Sequence, residues 1–321
     1  MRLFIRFMLL STLFLSACTT KKSNVPVIGF IDAFQDNTLD MAKQGFLDAL
    51  KKNGYDEEKG SMKWLYRNAQ GDNITLTQIT KYMVGQQPDL IATCPTLSTI
   101  SAAQATKDIP IFMMVASTPS LMKLTDAQGK DPVNLFGVGE TLDYIDTSFG
   151  LIPTLIKPKA NKIKVGVIYN QSEPQSVDAL NDIRKLSARY NLELSALPVN
   201  NSAEVSLVTK RLASEGIDVF FANPDNSVFA AFESIVKTCE EKRIPIITSE
   251  AGLVARGALA AYGADIYQWG YQAGEQAAAY LKSNKKAPMH WELVKLRKRV
   301  FNAKMATQYQ INIPAGYTAM P

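Results

Sequence analysis

Short apolar runs alternate with longer amphipathic stretches along most of the chain. In the first half PVIGFI (26–31), MKWLYRNA (62–69), DLIAT (89–93), IPIFMMV (109–115) and LFGVG (135–139) are the apolar runs. Between them, 38–54, a stretch around 73–86 and 97–106 carry apolar residues at helical spacing. The second half repeats the alternation. Strands are expected at 164–170, 193–199, 218–223, 244–250 and 258–263, and helices at 174–191, 202–216, 226–242 and 265–283. Continuous apolar strands alternating with helices predict parallel sheets covered on both faces.

The two halves resemble each other in detail. DLIATCPTLST (89–99) and DVFFANPDNSV (218–228) each run from an Asp through apolar residues to a Pro, then to residues suited to cap a helix. Asp89 and Asp218 are 129 positions apart, as are Pro95 and Pro224, and IPI recurs at 109 and 244. Three matches in the same order indicate an internal duplication. The expected fold class is α/β, with two doubly wound parallel-sheet lobes joined by a multi-strand hinge.

In open α/β sheets, ligands bind beyond the carboxyl ends of the strands. Two such edges facing each other make a cleft. Lobe one is expected over 25–140 plus 265–321, because helix 265–283 has no strand partner left in lobe two and WELVKLRKRVFN (291–302) reads as a return. Lobe two is expected over 141–264.

Composition narrows the class. The 321 residues are 46% hydrophobic and 20% charged, an ordinary globular balance. The chain opens with Arg2 and Arg6, an apolar run FMLLSTLFL (7–15) and LSAC (15–18). That run is too short to span a bilayer and reads as a secretory signal, 1–17. LSAC resembles a bacterial lipobox, which implies lipidation of Cys18, with 18–24 as a tether and the protein exported and held at a membrane surface. Without Arg2 and Arg6 the formal charge falls from +5 to +3. The only dense basic run, KLRKR (295–299), alternates like a solvated strand face, so no nucleic-acid partner is expected. Cys94 and Cys239 fall in different halves and are expected to be separate buried thiols. The single His290 has no Cys, Asp or Glu at ligand spacing, and no Gly-rich phosphate loop follows a strand, so no metal or cofactor is expected.

The stretches GFIDAFQDNTLDMAKQGFLDALKKNGY (29–55), YRNAQGD (66–72), PDLIAT (88–93), KDIPIF (107–112), VASTP (115–119), VGVIYNQSE (165–173), NPDNSV (223–228), IPIITSE (244–250) and ALAAYGADIYQWGYQAGEQAA (258–278) stand together in one chain. On them rests a resemblance, over 25–302, to the substrate-binding lipoproteins of bacterial ABC importers, in the branch associated with tryptophan and tyrosine uptake. It implies a monomeric hinged clamp of the type I periplasmic-binding-protein-like fold. It also implies a small amino acid-like ligand, an ABC permease as partner, and no catalysis. Relatives commonly carry an acidic-His-Pro run where this chain has Gln35-Asp36-Asn37, and Cys94 replaces a small residue.

Candidate ligand contacts follow from the chemistry of an amino acid. A carboxylate suits free N–H groups at helix starts, which selects Thr96, Ser98, Ser117, Thr118, Ser172 and Ser176. An ammonium wants a charged acceptor, which selects Asp225, Glu250 and Asp32. Asn170 and Asn226 can orient either group, and Glu173 shares their turn. Phe34, Tyr169, Phe229 and Tyr262 are candidate walls for an aromatic side chain. Two alternatives stay open: a binding lipoprotein for nucleosides or sugars, and a cofactor-independent racemase. The latter needs one Cys from each lobe, and Cys94 is mirrored by Asn223.

Overall fold

The computed structural model describes residues 25–284 and 289–320. The signal, the lipidation site at Cys18 and the tether lie outside the described residues. The first lobe begins with β1 (Val27–Asp32), α1 (Asn37–Lys52), β2 (Lys63–Asn68), α2 (Asn73–Gly85), β3 (Leu90–Cys94), α3 (Thr96–Ala105), β4 (Ile111–Ser117) and β5 (Leu135–Glu140). Two short helices, α4 (Tyr144–Phe149) and α5 (Ile152–Leu155), lead into the second. It holds β6 (Lys164–Asn170), α6 (Pro174–Arg189), β7 (Glu193–Val199), α7 (Ser202–Ser214), β8 (Val219–Ala222), α8 (Asn226–Ala230), α9 (Phe232–Glu241), β9 (Ile246–Thr248) and β10 (Ala260–Ala264).

The strand order β5-β4-β3-β1-β2 in one sheet is matched by β10-β9-β8-β6-β7 in the other. This is the doubly wound 2-1-3-4-5 order, in which β1/β3 and β6/β8 are the switch points where ligands bind. The duplicated Asp explains itself here. Asp89 Oδ2 accepts the backbone N–H of Val27 at 2.7 Å, and Asp218 Oδ2 accepts that of Lys164 at 2.8 Å. Each carboxylate holds the start of the strand beside it and so fixes the register at the switch point.

The chain then returns to lobe one as α10 (Ile266–Lys282) and β11 (Glu292–Leu293), which adds to β5. Helix α10 lies against α1 at very close range. A Cβ on Gly270 would stand 1.8 Å from the carbonyl oxygen of Ala42, and one on Gly45 would stand 2.1 Å from that of Tyr267.

The expected return of 265–321 to lobe one needs correction beyond β11. β12 (Arg297–Asn302) pairs antiparallel with β10, and β13 (Thr318–Met320) pairs with β12, both in the second sheet. After Ala264 the β10 edge is unpaired, and residues 297–302 satisfy its backbone groups. Between the last strands stands α11 (Ala303–Tyr309). The chain therefore crosses between the sheets near 141–143, at 265 and near 294–296. The expected helix 226–242 is also broken, at Ala231, where ψ is 17°.

Candidate functional site

The carboxyl edges of both sheets face a cleft of about 510 Å³, counting the space open to solvent. From lobe one come Phe34 and Leu39 after β1, Pro95 and Thr96 after β3, Val115–Ser117 in β4, Glu140 at the end of β5, and Trp269 of α10. Lobe two contributes Tyr144, Gln175, Pro224, Asp225, Asn226, Phe229 and Glu250.

Thr96 opens α3, whose N-cap Pro95 has no side-chain hydrogen bond to offer. Its own hydroxyl oxygen accepts the Ser117 N–H at 3.2 Å instead. The first-turn N–H groups thus lack a side-chain cap at the cleft wall, with the positive end of the helix dipole behind them. Alongside, Val115 sits at φ +48°, and the β4–β5 register shifts between Met113 and Ala116. A β-branched residue in the left-handed region is strained. The bulge turns the 115–117 backbone toward the cleft, as bulges beside binding sites do.

Glu250 follows β9 and is 5% exposed. Burial pushes its carboxyl up to about 8, against the hydrogen bond that the Tyr144 hydroxyl donates to Oε1 at 2.9 Å. Tyr144 itself is held neutral, its pKa well above the ordinary value because of burial and the acidic neighbour. Glu140 is also buried, and burial raises its pKa, but Arg297 forks onto both its oxygens at 2.6 and 2.8 Å. That guanidinium occupies Glu140, whereas Glu250 has no ion pair among the described residues and only the Tyr144 hydroxyl bonded to its carboxyl oxygens.

Asp225 behaves differently. Oδ1 caps α8 by accepting from Ser227 and Val228 N–H groups, and Oδ2 accepts from Ser176 Oγ and Asn170 N. Burial raises its pKa and these four bonds lower it. A carboxylate has about four acceptor positions, so Asp225 is spent within its own lobe.

An adjoining polar groove is lined by Asn170, Ser172, Glu173 and Asn226. Glu173 accepts from Asn170, Gln175 and Asn226 side chains, while burial and nearby Asp225 push it up to about 8. Among the described residues, no three or more His, Cys, Asp or Glu side chains are grouped so as to hold a metal ion.

Residues 24–319 match the family model described as ABC transporter substrate binding protein. The chain belongs to this family. A tyrosine-binding protein of Clostridioides difficile strain R20291 is 38% identical over 258 residues, which is 79% of this chain and 72% of that protein. Among solved structures, a conserved domain protein from Vibrio cholerae matches with TM-score 0.81 and 27% identity, over 92% of this chain and all of that one. A Streptococcus domain in complex with L-Trp matches with TM-score 0.80 and 23% identity, over the same shares. A ligand-free, open Clostridium difficile substrate binding protein with adhesive properties gives 0.66 at 27% identity, again over 92% and 100%. The family description and the names of the two Clostridium proteins are those of binding proteins, not enzymes. Consistently, the buried Cys94 thiol is pushed well above its ordinary pKa, opposite to what a proton-shuttling thiolate needs.

Of the residues singled out from this binding protein's sequence, Thr96, Ser117, Asp225, Asn226 and Glu250 line the cleft, with Phe34 and Phe229. Asn170, Ser172 and Glu173 line the neighbouring groove. Six others line neither space. Ser98 donates to the Cys94 carbonyl and Ser176 to Asp225, each turned inward by a partner in its own lobe. Asp32, the last residue of β1, is buried and accepts from Tyr66, with its carboxyl raised to about 7 by burial. Thr118 meets Ser120 at an outer groove, and the Tyr262 ring lies under the Arg299 guanidinium at 4.8 Å. Tyr169 packs against the lobe-two core instead of the cleft. Sequence reasoning missed Glu140, Tyr144, Gln175 and Trp269. The signal for Glu140 was present: it is a charged residue ending the apolar run LFGVGE.

Proposed function

We propose that this protein is a lipid-anchored, extracytoplasmic solute-binding protein that captures an aromatic amino acid in the interlobe cleft and presents it to an ABC importer. The observation that carries the reading is the pairing of opposite ends across one apolar space. Glu250, oriented by Tyr144, stands as an ammonium acceptor in lobe two, and the uncapped start of α3 stands in lobe one as a carboxylate site. Phe34, Phe229 and Trp269 supply apolar wall between them. The names of the tyrosine-binding relative and the L-Trp complex support the same class. Capture works by population shift: only the closed arrangement makes both sets of contacts, so ligand stabilises it. Anchoring at Cys18 would keep the protein beside the permease.

Calorimetry of the mature chain against the aromatic amino acids, nucleosides and sugars tests the ligand class. Saturable binding of an aromatic amino acid is the expected result. Binding of a nucleoside or sugar alone would overturn it. Loss of membrane association in Cys18→Ser checks the anchor.

A further inference from the structure

Gln175 is the second residue of α6, 3% exposed, and it lines the cleft. Its amide nitrogen donates to Glu173 Oε2 at 2.5 Å. Its carbonyl oxygen Oε1 is buried and has no hydrogen-bond partner. The orientation follows from the surroundings. Glu173 also receives Asn170 Nδ2, Asn226 Nδ2 and Asn226 N, so it is an acceptor at the centre of N–H donors. Gln175 joins that ring through its NH2 group, which leaves its carbonyl turned away from Glu173.

A buried polar atom without a partner is uncommon and calls for one. Gln175 lines the cleft, and the topology sets what lies beside it there. Glu250 follows β9, Gln175 follows β6, and β8 runs between them. Strands are spaced about 4.8 Å apart, so the strand ends that lead to Glu250 and Gln175 stand roughly 10 Å apart along the lobe-two rim. Between them, after β8, come Pro224 and the Phe229 ring, and Phe34 faces them from lobe one. The rim therefore has an acceptor at each end and an apolar middle. This fits a ligand with one donor on its ammonium and a second on the far edge of a flat apolar body.

We propose that the Gln175 carbonyl is a specificity-determining acceptor for a hydrogen-bond donor on the ligand's aromatic ring, a phenol O–H or an indole N–H. The inference rests on the aromatic amino acid reading and sharpens it: tyrosine or tryptophan is accepted and phenylalanine is discriminated against. A site built to bond an O–H or N–H rejects the analogue lacking it, because its own polar atom is then left bare.

The test is a ligand series by calorimetry: tyrosine, tryptophan, phenylalanine and O-methyltyrosine, on wild type and on Gln175→Leu. Wild type is expected to bind tyrosine or tryptophan roughly tenfold or more tightly than phenylalanine, and tyrosine likewise over O-methyltyrosine. In Gln175→Leu those ratios should fall to near one. A merely structural role for Gln175 would weaken all ligands alike and leave the ratios standing, which overturns the proposal. Equal affinities in wild type overturn it too, without any need for the variant to fold. Should none of the four bind wild type, the aromatic reading itself falls, and this inference with it.

Discussion

Arg256 Nη1 and Asp36 Oδ2 stand 2.5 Å apart and join lobe two to lobe one beside the cleft. Asp36 uses its other oxygen to cap α1 through Thr38 and Leu39 N–H groups, so the bridge is anchored to a helix start. Arg256 is held from its own side by Glu233 and by the Phe229 carbonyl. The Gln35-Asp36-Asn37 stretch therefore supplies a contact between the lobes, one that opening of the cleft would break.

Arg256→Ala should favour the open form. Asp36 would then be buried on closure without its cation, a cost that falls on the closed state alone. The expected result is roughly ten- to hundredfold weaker ligand binding. Small-angle scattering should show a larger radius of gyration at equal ligand concentration. Unchanged affinity would mean that the pair contributes nothing to closure.

Gly252 tests closure by shape instead of charge. A Cβ there would stand 2.1 Å from Thr38 Cγ2 of the opposite lobe. Gly252→Ala should wedge the lobes apart and weaken binding, while the ligand-free melting temperature stays within a few degrees. Gly252→Ala combined with Thr38→Ser, which removes the obstructing methyl, should recover most of the affinity. Failure of that rescue would assign the loss to lobe two alone.

Much of the frame was legible because parallel sheets write themselves as apolar runs, and because one Asp-to-Pro stretch occurs twice. Asp89 and Asp218 could be paired by spacing alone, and each proves to hold the same backbone position. Glu250 could be read because a carboxylate at a strand end has no cap to make. Ser98 and Ser176 were misread for a local reason: a first-turn hydroxyl has several partners within reach, and a carbonyl or Asp of the same lobe wins. Tyr144, Gln175 and Trp269 look like ordinary helix residues, and only the apposition of the lobes gives them a shared space. The β12 crossing was hidden because an edge left open by β10 is a tertiary fact, absent from the local pattern of 291–302.

Lobe one depends on α10 lying against α1. Gly270→Ala places a methyl on the Ala42 carbonyl, where the neighbour is backbone and cannot step aside. Overpacking of this kind costs about 1–3 kcal/mol. Urea denaturation should show that loss, and binding should weaken with it because α10 also carries Trp269. A variant as stable as wild type would mean that the two helices separate without cost.

Glu250 makes the binding pH-dependent, and the direction follows from its surroundings. In the unoccupied cleft its carboxyl sits near 8 rather than 4.5, so it is largely neutral at pH 7. An ammonium partner favours the ionised form, and the proton must leave on binding. Affinity should therefore rise as pH approaches 8, by up to about tenfold per unit, and level off above it. Glu250→Gln should bind weakly and lose this slope. Stability of the ligand-free chain should move the other way. A folded-state pKa raised above the unfolded value makes a contribution that is fully present below about 4.5 and lost as pH rises through about 8. Asp32 and Glu173, raised to about 7 and about 8 by burial, add to the same trend. The difference between wild type and Glu250→Gln therefore isolates the Glu250 part: wild type should lose melting temperature relative to the variant as pH increases across that range. A difference that does not change with pH would place the Glu250 carboxyl near its ordinary value, and the ammonium would then need another acceptor.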